Sequence, residues 1–229
     1  QTREHFEILN LLNIPMGIIA LNKIDLADDD WLDMVELDIV ELVKDTFMED
    51  VPVIRVSAIE NTGIEKLKQA LLSICDKTPE KLDRDIFRLH IDRAFSMKGY
   101  GTVVTGTVNS GSLNPGDTIE ILPGNEIARV RGLQSHGQDV ISVTLGDRAA
   151  INLQRIEKSS IGRGSQIAEP GYLKSIHQMG ASLHLLSSGK KPLLQNQRVR
   201  IHLGTQEVMA RVAFTGVKSL DPGENGAAL

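Results

Sequence analysis

Aromatic residues are scarce in this chain, at 3% of 229 residues. Platforms for stacking the bases of single-stranded nucleic acid are therefore few. Cysteine is scarcer still. The single Cys75 excludes an internal disulfide framework and a cysteine metal site. Its place in an apolar helical pattern predicts a buried core thiol. No run of 18 apolar residues occurs, which excludes a helical membrane span. The opening QTREHFEILN lacks the basic start and long apolar stretch of a signal peptide. The six histidines show no metal-ligand spacing. These absences fit a cytoplasmic protein without a membrane partner and without a metal site of its own.

The remaining composition supports more than one domain. Apolar residues make up 41%, enough for a packed core. The net charge of −5 is unevenly spread. Residues 1–80 hold 7 Lys+Arg and 17 Asp+Glu, a balance of −10; residues 81–229 hold 18 and 13, a balance of +5. An acidic domain joined to a mildly basic one explains this, and so does a second part that meets a polyanion.

Residues 1–76 alternate helical and strand patterns. Phe6, Leu9 and Leu12 have helical spacing, and MGIIALN reads as a short buried strand. Asp28, Asp29 and Asp30 then suit a helix N-terminus, followed by an apolar face of Leu32, Val35, Ile39, Leu42 and Val43. VPVIRVSA reads as a second buried strand. Thr62 and Glu65 have capping-box spacing before the helix face Ile64, Leu67, Leu71 and Ile74. This order belongs to a doubly wound α/β fold, but two strands are too few for one. The segment therefore reads as the back of a larger domain, with exposed apolar surface that self-association would cover.

Asp76 to Asp85 is polar, contains Pro79 and reads as a linker. Beyond it, short strand patterns alternate with turn signals, as in all-β domains. The candidate strands are IFRLHI, TVVTGTV, DTIEIL, IARVRGLQ and DRAAINL, with SSIGRGSQIA as a barrel loop. After a break at AEPGYLK the β pattern resumes in GASLHLL, RVRIHLG and EVMARVAFTG. LNPGDTIEI and LDPGENGAAL look alike, which predicts a turn-to-strand unit shared by two β domains.

The sharpest chemical signal is NKID, with Asn22, Lys23 and Asp25 at the end of the first strand. Guanine presents two adjacent donors on its Watson–Crick edge, and a carboxylate such as Asp25 can accept both. Adenine has no such pair there. Asn22 can hold the loop, and the Lys23 stem can lie along the base. VSA ends the next strand, where the Ala58 N–H can meet guanine O6 and Ser57 can support the loop. A four-residue match alone arises by chance; two base-reading loops on consecutive strand ends do not do so readily. The phosphate half of such a site is absent from these residues. No GxxxxGK[ST] motif occurs, so no loop of N–H groups and no Mg²⁺-ligating Ser or Thr is found. KGYGTVVTG is rich in glycine but lies in the β region with no helix after it.

QTREH, NKID, VSA and KGYGTVVTGTVNSG together resemble the translational elongation factors. The resemblance covers nearly the whole chain. It implies the C-terminal half of a P-loop GTPase domain over 1–80, a β-barrel second domain over 84–171, and the start of a third, also a β-barrel, over 172–229. The phosphate loop, the switch regions and the catalytic His would then lie upstream of Gln1. These residues alone would bind GTP or GDP and Mg²⁺ poorly and hydrolyse nothing.

HIDRAFSMKGYGTVVTGTV, GDRAAINL and RVRIHLGTQEVMARV narrow the resemblance to the selenocysteine-specific elongation factors. That family implies delivery of selenocysteyl-tRNA to the ribosome, with Asp92, Arg93 and Arg148 lining a pocket for the aminoacyl group and Lys98 nearby. It also implies contact with a selenoprotein mRNA hairpin through a region beyond Leu229. A selenol is more acidic than a thiol, so this side chain is anionic near pH 7, whereas serine is neutral. Spacing alone favours Arg93 and Arg148 simply pairing with Asp92 and Asp147 at the barrel surface; the resemblance favours the pocket. Two alternatives remain: another translational GTPase of the elongation factor Tu or initiation factor kind, against which the Asp92–Arg93 and Arg148 arrangement argues, and a non-catalytic tRNA-binding adaptor using only the barrels.

Overall fold

A computed structural model describes residues 2–12, 14–79, 82–97, 99 and 101–229. The chain forms two compact units, 1–81 and 82–229.

The first unit runs helix α1 (Thr2–Leu11), strand β1 (Ile19–Asn22), helix α2 (Asp29–Val43), strand β2 (Val53–Val56) and helix α3 (Ile64–Lys77). The two strands are parallel, in register from Ile19 opposite Val53 to Asn22 opposite Val56. Asp28 caps α2 by accepting the Trp31 N–H at 2.9 Å, as its position before a helix face predicts. That face behaves as expected, with Leu32 and Val43 buried and Val35, Ile39 and Leu42 half-buried. Arg55 on β2 ties the sheet to α2 by pairing with Asp33 and Glu36, and its hydrogen bonds to Asp33 and Glu36 raise the guanidinium's pKa further.

Two expectations fail in this unit. Thr62 caps nothing, because its backbone N–H and C=O both bond Ser57 at 3.0 Å. Gly63 takes the cap position instead, in the left-handed conformation (φ 71°) and without a side-chain bond. Cys75 is exposed rather than buried. It follows Ile74 by one residue, about 100° round the helix from the packed face. The linker also starts later, since α3 continues to Lys77.

The second unit begins with a closed six-stranded barrel. Strand β3 (Arg88–Met97) pairs with β4 (Gly101–Ser110), which pairs with Arg148–Gln154; that strand pairs with Glu126–Ser135, then come Thr118–Leu122 and Gln166–Ala168, the last returning to β3. The closing strand, Gln166–Ala168, falls in the stretch read from sequence as loop. It is three residues long and carries too little alternation to show itself, yet Ile167 and Ala168 are fully buried. The barrel interior is filled by aliphatic side chains from alternate positions, among them Leu89, Ile91, Val104, Val108, Ile151 and Ile167.

After the barrel come shorter pairings. Ala181–His184 lies antiparallel to Asn225–Ala228, and Arg198–Leu203 forms a hairpin with Gln206–Arg211. Val212, Phe214, Leu220 and Ala228 make a small separate core. The repeated turn is real. In Asn114–Asp117 and Asp221–Glu224 the last N–H bonds the first carbonyl, at 3.2 and 3.0 Å. In both, the last side chain also accepts the first N–H at 2.8 Å. Gly116 and Gly223 supply the positive φ of 98° and 91° that a Pro-Gly turn requires.

Candidate functional site

The first candidate site sits where β1 and β2 end. Because Asn22 is opposite Val56, the loops leaving the two strands emerge side by side. Carboxyl ends of parallel strands are where open α/β sheets hold ligands. Lys23 takes a left-handed conformation (φ 65°) and opens a single 3-10 turn, Ile24–Leu26. The Asn22 side chain stabilises that turn by accepting the Lys23 N–H at 2.8 Å. Ser57 is fully buried and donates its hydroxyl to Asp25 at 2.5 Å, joining the two loops. Asp25 remains half-exposed. One bond to Ser57 leaves acceptor capacity for both guanine donors, since an ionised carboxylate offers about four lone-pair sites. Ala58 is exposed beside it. The residues NKID and VSA predicted to act together are thus brought together, with Ser57 fixing Asp25 as well as its own loop.

The second candidate site is on the outer face of the barrel. Regular alternation would put Asp92 and Arg93 on opposite faces. Instead β3 carries a bulge there, since Ile91 pairs with Gly106 and Arg93 with Thr105, leaving Asp92 as an extra residue. Ile91 is fully buried, Asp92 and Arg93 are not, and Ala94 packs against the core again. The bulge therefore aims two consecutive charged side chains outward. A sequence signal existed, because the inward positions 89, 91 and 94 break the two-residue period.

Arg148 reaches this bulge across β4. It forms an ion pair with Asp92 and lies 3.4 Å from the Thr107 hydroxyl. Thr105 donates to the other Asp92 oxygen at 2.8 Å. Burial pushes the Asp92 carboxyl up, but the Arg148 and Thr105 hydrogen bonds and the Arg148 and Arg93 charges prevail, so its pKa lies below the usual value. The side chains of Arg148 and Asp92 are 49% and 25% exposed, so the pair adds about 1 kcal/mol or less to stability. Arg93 has no ion pair among the described residues. Asp147 pairs with neither arginine and instead accepts the Thr144 N–H at 2.8 Å. The three groups carry a net charge of about +1, which suits a monoanion. Lys98 lies outside the described residues. Thr105 is a member of this cluster that the sequence did not flag.

Comparison with known proteins agrees with both units. Residues 1–77 match the elongation factor Tu GTP binding domain, and residues 101–168 match elongation factor Tu domain 2. The two units thus resemble, in order, two domains of elongation factor Tu. More narrowly, the chain is a homologue of the selenocysteine-specific elongation factors. It is 39% identical to that of Desulfomicrobium baculatum over 98% of its length. It is 35% identical to that of Methanocaldococcus jannaschii and 33% to that of Escherichia coli, each over 93%. It spans 35%, 46% and 34% of those relatives' own lengths. Translation elongation factor SelB from Methanococcus maripaludis, in its apo form, shares the fold with a TM-score of 0.80 at 24% identity, covering 100% of this chain and 52% of that one. A bacterial selenocysteine-specific elongation factor gives 0.77 at 24%, covering 100% and 38%.

Proposed function

We propose that this chain supplies the guanine-reading side of a GTP/GDP site and the pocket that holds the selenocysteyl end of tRNA, within a factor that delivers that tRNA to the ribosome. In this reading 1–80 belong to a GTPase domain, 84–171 are its second domain, and 172–229 open a third. Asn22, Lys23, Asp25, Ser57 and Ala58 read the base. Mg²⁺ would accompany the nucleotide phosphates and takes no ligand from these five residues. Self-association of this unit through the exposed edge of its two-stranded sheet is part of the same proposal.

The observation that carries the selenocysteine assignment is the bulge that sets Asp92 and Arg93 on one face beside Arg148. Two guanidiniums against one carboxylate leave a positive charge for a selenolate to neutralise. Asp92 can also accept from the cationic α-amino group. A neutral serine side chain leaves that positive charge unmatched, so the pocket discriminates by what it fails to satisfy. The test is Arg148→Ala. It lowers affinity for selenocysteyl-tRNA more than for seryl-tRNA; an equal loss for both rejects the pocket.

A further inference from the structure

We propose that Thr205, in the turn of the hairpin that follows the barrel, is a positioning residue for the aminoacyl pocket: its hydroxyl holds the peptide from which Asp92 and Arg93 depart. The role rests on the reading of Asp92, Arg93 and Arg148 as that pocket. It adds a residue from beyond the barrel that touches no ligand and sets selectivity through the bulge.

A bulge needs such support. Its extra residue has no partner in the ladder, so the strand is locally free to shift. The Ile91 carbonyl and the Asp92 nitrogen belong to one planar peptide. Fixing that carbonyl fixes the plane in which the Asp92 backbone begins, and with it the aim of two consecutive charged side chains. Ile91 is held from both ends of its residue. Its side chain is fully buried in the barrel. Its N–H donates to the Ser165 carbonyl at 2.9 Å, and its carbonyl accepts the Gly164 N–H at 3.2 Å. The same carbonyl accepts the Thr205 hydroxyl at 2.6 Å, the shorter of these two bonds.

The turn that carries Thr205 has little room to move. Register pairs Leu203 with Gln206, so Gly204 and Thr205 alone form it, and so short a turn leaves the hydroxyl little slack. A Cβ on Gly204 would lie 2.7 Å from His90 Nδ1, and one on Gly164 would lie 3.0 Å from Gln206 Cα. The backbone on either side of Thr205 is therefore packed against β3 and against the loop that also bonds Ile91.

The test is Thr205→Val, which keeps the shape of the side chain and removes the hydroxyl. Two readouts are taken on the chain: the ratio of affinities for selenocysteyl-tRNA and seryl-tRNA, and the titration of the Asp92 carboxyl followed by NMR. The ratio is expected to fall by about two- to tenfold, the worth of one hydrogen bond. The Asp92 pKa is expected to rise toward the usual carboxylate value as its bond to Arg148 loosens. Thr205→Ser, which keeps the hydroxyl, restores both. Val199→Ala loosens the same hairpin in its own small core; it lowers the thermal midpoint and leaves both readouts in place. An unchanged ratio and an unchanged Asp92 titration in Thr205→Val overturn the proposal. So do equal changes in Val199→Ala, which would leave Thr205 a structural contact only. A wild type that fails to distinguish the two tRNAs rejects the pocket reading instead, and the Asp92 titration then decides alone whether Thr205 sets the bulge.

Discussion

In the proposed reading Asp25 carries the base selectivity of the first site, and its acceptor-only chemistry makes that role testable. Charge-assisted hydrogen bonds contribute about 1.5–3 kcal/mol each. Asp25→Asn keeps the shape but presents a donor to one guanine N–H. The preference for GDP over ADP, followed by NMR shift titration, falls by about tenfold or more. An unchanged preference would mean that something other than Asp25 reads the base. Asp92 sets a pH dependence. Its carboxyl pKa is depressed on folding, so the unfolded chain binds that proton more readily. Its stabilisation is present above about pH 4 and is lost as pH falls through the lower folded value. Denaturant midpoints measured below about pH 4 therefore fall less steeply in Asp92→Asn than in the wild type. NKID and VSA stood out in the sequence as chemical patterns, whereas Asp92, Arg93 and Arg148 stood out only through the resemblance. What Asp25 and Asp92 touch was not legible, because Ser57 and Thr105 approach from other strands.

At the level of elements, turns decide what the strands present. The bulge in β3 turns a dipeptide that alternation would split into a pair on one face. In the first unit the Ser57–Thr62 bridge replaces the capping box expected from sequence. Capping-box spacing cannot reveal that a backbone is already committed to a neighbouring loop. The hairpin Arg198–Leu203/Gln206–Arg211 is seated on the barrel by its turn. Thr205 donates its hydroxyl to the Ile91 carbonyl at 2.6 Å. A Cβ added to Gly204 would lie 2.7 Å from His90 Nδ1, at a φ of +57°. Gly204→Ala should cost about 1–3 kcal/mol through overpacking, read as a lower thermal midpoint. Gly162→Ala, whose Cβ meets nothing within 4 Å, serves as the control and leaves the midpoint in place. The sequence marked the hairpin strands; seating on His90 is a tertiary contact between segments more than 100 residues apart, which no local pattern records.

Across the whole molecule, an acidic α/β unit precedes a basic β unit, and the two candidate sites divide the same way. The order of helices and strands was legible because hydrophobic period and turn chemistry are local. The barrel was expected from the resemblance, but the three-residue strand Gln166–Ala168 that closes it was not. Exposure of Cys75 was missed because one helical position separates a packed side chain from a solvated one. In the proposed reading, charge selects the aminoacyl group. Its most direct test is the ratio of affinities for selenocysteyl-tRNA and seryl-tRNA, measured from neutral pH down into the range where the selenolate takes up a proton. The ratio should favour selenocysteyl-tRNA at pH 7 and fall toward one as the anion is neutralised, with seryl-tRNA binding the control for acid effects on the protein. A ratio near one at pH 7, or a preference that persists unchanged once the selenol is protonated, would contradict it.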